Sequence, residues 1–244
     1  MMMAAICLAQ DIELLASYPI DRGNAYAAIR QLRAAEKKEP SSASIKQALG
    51  VAYYRAGQHL LFRQKMAEAI AADPKHHLPH YLLGRHFDSD LQDFDRAAAY
   101  FRAALELRPQ HAPSLAHLGH ALEMSGRHPE AIAAYSQATA IQPCLPFAVA
   151  GLARMNAATL DLMRKTLLCG GDDVMLLRAL AKALVDAGGH AEAARYLERA
   201  LVLDPSNTAL AYQLHRAWAA ANDSAKAAAA LESYHRLHNI YGGR

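Results

Sequence analysis

The sequence has few of the residues on which secreted disulfide domains and membrane proteins depend. It holds only 3 cysteines in 244 residues, and no apolar run approaches the ~20 residues that a membrane helix needs. Cys7, Cys144 and Cys169 are widely spaced and form no CxxC pair, which argues against a disulfide framework and favours a reducing, cytoplasmic compartment. No Lys or Arg precedes Asp11 and no long apolar stretch precedes Cys7, so the first residues resemble neither a signal peptide nor a lipoprotein leader.

Aromatic residues are also scarce, at 7%, whereas alanine is abundant, and this composition favours helical hairpins over sandwiches or barrels. Neither sign of charge dominates, because 26 Lys and Arg stand against 23 Asp and Glu. The net charge of +3 argues against a nucleic-acid-binding protein, which usually carries a concentrated basic stripe. The motifs GxxxxGK[ST], GxGxxG, HExxH and GxSxG are missing as well. We therefore expect a protein that is not an enzyme and holds no cofactor.

Two local features could carry chemistry, but each has a simpler explanation. Asp172 and Asp173 follow two glycines and precede an apolar stretch, a pattern that is typical of a helix N-cap rather than of a catalytic carboxylate pair. No residue close to Cys169 in sequence supplies a base that would activate it, so we expect a buried or loop thiol there instead of a nucleophile.

Histidine is frequent, with 13 residues, and three pairs spaced three apart could each face a metal ion: His77 and His80, His117 and His120, His235 and His238. Zinc takes four ligands, commonly including thiolate or carboxylate groups at defined spacing, and no cysteine lies near these pairs. We therefore expect no metal site. A second group is interpreted as polar residues at a turn between repeats and at a helix start: His76, His77, His80 and His86.

A period of about 34 residues runs along the chain. Prolines that end a helical pattern recur at Pro40, Pro74, Pro109, Pro143 and Pro205. Small residues keep the same phase, with alanine five positions before the proline at Ala69, Ala104, Ala138 and Ala200. Glycine lies seventeen positions before it at Gly23, Gly57, Gly126 and Gly188, where a turn is expected.

This unit resembles the tetratricopeptide repeat, a helix-turn-helix of 34 residues. The segment 118–143 carries the marks of the family in order: Leu118, Gly119, Leu122, Ala131, Tyr135, Ala138 and Pro143. Gly119 and Ala131 are small because the two helices of a hairpin cross closely there, and Pro143 ends the second helix. The resemblance implies an all-α fold, a right-handed superhelical solenoid of helix-turn-helix hairpins.

The repeat pattern divides the chain into seven units: 9–42, 43–76, 77–111, 112–145, 146–173, 174–207 and 208–241. The fifth unit is six residues short and lacks the closing proline, so we expect four repeats in 9–145, a degenerate repeat or joint in 146–173, and two repeats in 174–241. The third unit holds one extra residue in its acidic loop 88–90. The polar capping helix that usually follows the last repeat is missing, which leaves self-association through that repeat open.

In this family the first helix of each hairpin lines a concave groove, and the ninth position of the repeat points into it. Here five consecutive units place a basic or potentially basic residue at that position: Arg85, His120, Arg154, Lys182 and Arg216. Neighbouring groove positions add Arg178, Tyr54, Tyr81, Tyr212 and His117. A column of cations with interleaved tyrosines attracts acidic chains and can pair with their carboxylates.

The resemblance and the basic column together predict a non-enzymatic scaffold that binds an extended or acidic peptide segment of a protein partner. Two alternatives stay open. The chain could be an accessory or regulatory subunit of an enzyme complex, such as a transferase system, or a weak binder of RNA or another polyanion. Arg and Lys also occupy solvated positions of helical repeats without any ligand, so the column alone does not decide between these functions.

Overall fold

Within residues 22–241, which the computed structural model describes, the chain forms thirteen helices and no strand. In chain order they are α1 Arg22–Lys38, α2 Ala43–Arg55, α3 His59–Ala72, α4 His77–Ser89, α5 Phe94–Leu107, α6 Ala112–Met124, α7 His128–Ile141, α8 Pro146–Arg154, α9 Leu160–Gly170, α10 Val174–Asp186, α11 His190–Leu203, α12 Thr208–Ala220 and α13 Ser224–Tyr241. The expected all-α fold class is confirmed. Cys7 and the first helix of the predicted unit 9–42 lie outside the described residues.

From α2 onward the helices pair as consecutive hairpins. Each predicted unit from 43–76 to 208–241 begins at the first residue of the first helix of a hairpin. The loop inside the hairpin runs over residues 56–58 in the first of these and over 90–93 in the next, one residue longer, as the acidic insertion predicts. No helix in the described part of the chain is long and apolar enough to cross a membrane.

The chain divides into two compact units, and the division falls inside α6. Unit 1 ends at Ser114 and unit 2 begins at Leu115. Unit 1 has a core that includes Leu49, Phe62 and Met66. In unit 2 a core cluster runs from Val149 in α8 to Ala230 in α13. The hairpin of α8 and α9 corresponds to the fifth predicted unit, 146–173, and is called the fifth hairpin below. The fifth hairpin therefore shares its core with the two repeats that follow it, while its role as a joint stays a prediction.

The predicted close crossing of the two helices of a hairpin is confirmed between α6 and α7. A Cβ atom added to Gly119 would lie 2.8 Å from Cδ1 of Tyr135, which is too close for two carbon atoms. Tyr135, Ala131 and Ala138 are fully buried on the opposing helix. Gly84 and Phe101 repeat this contact in unit 1, at 2.7 Å. The small residue is thus required because an aromatic ring fills the space beside it.

The turns inside the hairpins need a residue with positive φ. Gly57, Gly126 and Gly188 supply it in three hairpins, with φ between 75° and 81°, as their position before the proline predicted. The other three hairpins use Gln92, Asn156 and Asn222 at φ of 51° to 59°. Side chains with a Cβ are disfavoured in this left-handed region, although asparagine tolerates it better than most.

Cys144 and Cys169 form a disulfide, which corrects the expectation of reduced cysteines and of a free thiol at Cys169. Cys144 lies in the turn before α8 and Cys169 in the last turn of α9, with their Cα atoms 5.5 Å apart. The bond therefore joins the two ends of the short fifth hairpin. The sequence gives no sign of this pairing because the two cysteines are brought together only when α8 and α9 fold back on each other.

The predicted N-cap at Asp173 is confirmed. Its side chain accepts a hydrogen bond of 2.8 Å from the backbone N–H of Leu176 at the start of α10. Asp172 instead forms an ion pair with Arg199. The two carboxylates thus have separate structural partners.

Candidate functional site

Unit 1 contains a cavity of about 200 Å³ between the first helices of two consecutive hairpins. Val51, Tyr54 and Arg55 line it from α2, Phe62 lines it from α3, and four residues line it from α4: Leu82, Arg85, His86 and Ser89. Two of the predicted groove residues, Tyr54 and Arg85, thus meet at one cavity. Its lining combines apolar side chains with two arginines, a combination that suits a side chain with a carboxylate.

Arg55 is the least satisfied cation of this cavity. Its Nη1 atom is buried and has no hydrogen-bond partner within the described residues. Burial lowers the pKa of the Arg55 guanidinium from its usual value, since the charge is removed from water without a compensating anion. An acidic group that entered the cavity would supply the missing acceptor.

The tyrosines beside Arg85 are neutral. Burial raises the pKa of the Tyr54 hydroxyl, and a hydrogen bond of 3.1 Å from that hydroxyl to Oδ1 of Asp90 raises it further. Burial also raises the pKa of Tyr81, whose ring lies 5.1 Å from that of His111. Arg85 itself is exposed and forms no ion pair within the described residues.

In unit 2 the corresponding cation is already paired. The Nε and Nη2 atoms of Arg154 donate hydrogen bonds of 2.8 and 2.7 Å to the two carboxylate oxygens of Glu123. The Tyr135 hydroxyl donates a third bond to Glu123, at 2.8 Å. Burial alone would raise the pKa of Glu123, but the bonds from Arg154 and Tyr135 outweigh it and hold the pKa below its usual value.

These two arrangements occupy the same register of the repeat. Glu123 and Arg154 are 31 residues apart, and so are Tyr54 and Arg85. The twelfth position of one unit thus faces the ninth position of the next. In unit 2 the twelfth residue is an acid that neutralises the arginine, whereas in unit 1 it is a tyrosine that does not. Both arginines are charged, but the charge of Arg154 is compensated by Glu123, whereas Tyr54 offers Arg85 no carboxylate.

The other predicted groove residues of unit 2 fall into two groups. His117 and His120 pack against Phe147, with ring centroids 4.8 and 5.7 Å from it. Tyr212 is 46% exposed and packs against Tyr234. The remaining cations have no ion pair or hydrogen bond within the described residues: Arg178, Lys182 and Arg216. They give unit 2 a basic surface.

The sequence interpretation missed Arg55 and misplaced His86. Arg55 follows Tyr54 at the end of α2, where a basic residue is ordinarily explained by the helix dipole. His86 is not a polar residue of a turn or helix start, because it lies in the last turn of α4 and only 2% of it is exposed. Its Nδ1 atom lies 2.7 Å from Oδ2 of Asp90. The i, i+4 spacing of His86 and Asp90 was the available signal.

A model of the tetratricopeptide repeat matches residues 14–77, 88–145 and 178–238, which together make up well over half of the chain. Comparison with curated proteins finds no match.

Several solved structures are similar in fold. PilW, described as a widely conserved type IV pilus biogenesis factor, superposes with a TM-score of 0.66 at 19% identity, over 82% of this chain and 94% of its own. PilF of Pseudomonas aeruginosa superposes with a TM-score of 0.57 at 20% identity, over 97% of this chain and 93% of its own. YrrB, described as a TPR protein with an unusual peptide-binding site, gives 0.55 at 16% identity, over 72% and 93%. At these identities the similarity shows the fold alone.

Proposed function

The chain belongs to the tetratricopeptide repeat family, and we propose that it is a non-enzymatic scaffold that binds an acidic peptide segment of a protein partner. The observation that carries this proposal is the cavity of unit 1, where the buried Nη1 of Arg55 lacks an acceptor and Arg85 lacks an anion. An incoming Asp or Glu side chain would accept charge-assisted hydrogen bonds from both guanidinium groups. YrrB, which shares the fold, is described as having a peptide-binding site.

Tyr54 would give the peptide its apolar contact. Its ring is held edge-on against the buried ring of Phe62, with centroids 5.2 Å apart, so it offers a rigid surface that loses little entropy on binding. In unit 2 the half-buried Arg178 and the exposed Lys182 and Arg216 would add a second basic surface for an acidic chain. The two exposed cations would raise the rate of encounter more than the affinity because they are solvated.

The proposal is tested with pairs of labelled peptides that differ only in Glu against Gln or Asp against Asn. Fluorescence anisotropy should show the acidic member binding at least about 10-fold more tightly, because a charged hydrogen bond contributes about 1.5–3 kcal/mol. Arg85→Ser should remove that preference. Arg195→Ser, which removes an exposed arginine of α11, is the matched control and should leave it intact. Equal binding of both members by the wild type would contradict the proposal.

Two further measurements, RNA binding at different salt concentrations and co-purification, separate the alternatives that the sequence leaves open. A polyanion binder would take single-stranded RNA more tightly than any peptide, and its affinity would fall with salt by nearly one log unit per log unit of salt for each phosphate contacted. An accessory subunit of an enzyme complex would co-purify with a catalytic partner in constant ratio. Retention of an acidic segment alone favours the scaffold.

The disulfide bears on the compartment in which the scaffold works. Because disulfides persist in oxidising compartments and are reduced in the cytoplasm, we infer an oxidising location in place of the expected cytoplasmic one. Thiol alkylation in intact source cells, followed by mass spectrometry, tests this inference. Cys144 and Cys169 should escape alkylation, whereas labelling of both would place the protein in a reducing compartment.

Self-association through the last hairpin remains a proposal of the same kind. Helix α13 has 18 residues against 14 in α11, and its Ile240 is 60% exposed near the end of the described chain. A second copy that covers this end would remove Ile240 from water. Sedimentation velocity should show a dimer that Ile240→Lys converts to monomer, and a wild type that is monomeric at all concentrations contradicts it.

A further inference from the structure

Three side chains that can bind a metal ion meet in unit 1, outside the tetratricopeptide pattern. His59 is the first residue of α3, His86 lies in the last turn of α4, and Asp90 ends that helix. One ring nitrogen of each histidine and one carboxylate oxygen of Asp90 lie within 4.8 Å of one another. The second helix of one hairpin and the first helix of the next thus converge on one point.

Of the two distances from Asp90 to the histidines, one is shorter and one is longer than the distance between two ligands of a zinc ion. Asp90 Oδ2 lies 2.7 Å from Nδ1 of His86 and 4.0 Å from Nδ1 of His59. Ligands at about 2.0–2.1 Å from a tetrahedral ion are roughly 3.3 Å apart. A change of less than 1 Å at each of the two contacts of Asp90 would therefore bring them to this spacing, and the ring nitrogens of the two histidines lie within 4.8 Å of each other. The carboxylate offers one negative charge, and neutral imidazoles with a carboxylate form a ligand set that zinc takes readily.

The surroundings hold two of the three ligands in place. The hydroxyl of Tyr54 donates a hydrogen bond of 3.1 Å to the other oxygen of Asp90, which leaves Oδ2 directed at the histidines. The ring of His86 packs edge-on against Phe62, with centroids 5.2 Å apart. Outer contacts of this kind orient ligands and are worth 10–100-fold in metal affinity.

Both ring nitrogens of the buried His86 are placed without a neutral acceptor of their own. Its Nδ1 atom faces the Asp90 carboxylate, and its Nε2 atom is buried with no hydrogen-bond partner within the described residues. The rings of His59 and His86 are also stacked, with centroids 5.3 Å apart, and a ring nitrogen of each lies within 4.8 Å of the other and of a carboxylate oxygen of Asp90.

We propose that His59, His86 and Asp90 bind one divalent transition-metal ion of the zinc class, with water in the fourth position. One of the three ligands depends on the extra residue of the third repeat, because Asp90 belongs to the lengthened loop 90–93. The proposal does not depend on peptide binding. Zinc uptake is measured without peptide, so the failure of either proposal leaves the other standing.

The test uses zinc chloride as the only ligand. Each protein carries Cys7→Ser, because Cys7 is the one cysteine outside the disulfide and its thiolate could bind zinc. Native mass spectrometry and calorimetry should give one ion per chain. His59→Ala and Asp90→Asn should each weaken binding at least about 10-fold, since both remove a direct ligand. His128→Ala, which removes an exposed histidine of α7, should bind zinc as the wild type does.

Two further measurements keep the result interpretable. Circular dichroism without metal should show unchanged helicity in His59→Ala and Asp90→Asn, because both positions are at helix ends and partly exposed. Arg85→Ser, which disables the proposed peptide site, should take up zinc at least as well as the wild type. No ion bound by the wild type, or equal binding by His59→Ala and Asp90→Asn, overturns the proposal.

Discussion

Arg154 donates two hydrogen bonds to Glu123, and this pair shows what the groove position of a repeat does when the preceding unit supplies an acid. At the same register Arg85 faces Tyr54, which offers no carboxylate to compensate the charge of the arginine. The difference between one residue type and another at the twelfth position thus decides whether the arginine is a structural contact or a candidate for ligand binding.

Glu123→Gln should destabilise the protein by about 1–2 kcal/mol at neutral pH, because the partly exposed Arg154 loses a charge-assisted pair. The folded-state pKa of Glu123 lies below its usual 4.5, so the pair contributes fully above about pH 4.5 and is lost as pH falls through the lowered value. Urea unfolding between pH 7 and pH 3 measures this. The variant should lose less stability across that range than the wild type, and parallel curves would contradict the assignment.

Tyr54→Glu should reproduce the unit 2 arrangement in unit 1. The new carboxylate would neutralise Arg85, and we expect affinity for an acidic peptide to fall at least about 10-fold. Tyr54→Gln is the control, since it changes size and hydrogen bonding without adding charge. A loss of affinity as large in Tyr54→Gln as in Tyr54→Glu would mean that the tyrosine ring, and not the charge of Arg85, is responsible.

Removal of the disulfide by the double substitution Cys144→Ser and Cys169→Ser should cost about 3 kcal/mol, the value expected for a closed loop whose ends are 25 residues apart. The loss should concentrate in α8 and α9, because the bond joins the ends of that hairpin. Hydrogen exchange followed by mass spectrometry locates it. Loss of protection spread evenly over unit 2 would show that the hairpin is held by the shared core instead.

Gly119→Val should destabilise the protein by about 1–3 kcal/mol, since even the Cβ atom of the new side chain would lie 2.8 Å from the ring of Tyr135. Valine has a higher helix propensity than glycine, so the loss of stability comes from the clash and not from the backbone preference. The same variant combined with Tyr135→Ala should show a coupling energy, because the clash disappears with the ring. Additive effects would place the strain elsewhere.

The repeat boundaries could be predicted because small residues and prolines must recur wherever helices cross and end. Gly119 and Pro143 have the same physical role in every unit, so periodicity reveals them. The disulfide could not, since the distance of Cys144 from Cys169 depends on how two short helices fold back. The metal-binding group was hidden for a similar reason, because His59 and His86 belong to different hairpins.

The sequence predicts that basic residues recur at one position of the repeat, but it does not predict which of them can bind a ligand. The same position holds Arg85 beside neutral tyrosines and Arg154 beside Glu123, and only the neighbouring residue distinguishes them. Arg55 was overlooked because it is not at one of the groove positions of the repeat. Its side chain nevertheless lines the cavity, and its Nη1 atom is buried there without a hydrogen-bond partner within the described residues.

The central claim is that Arg55 and Arg85 together hold an acidic side chain, and arginine side-chain NMR tests it most directly. The Nε–Hε signals of both residues, assigned with Arg55→Lys and Arg85→Lys, are followed while an acidic peptide is added. The account predicts saturable shifts of both signals with one affinity, while the signal of the already paired Arg154 stays in place. A peptide that binds without moving the signals of Arg55 and Arg85 would contradict it.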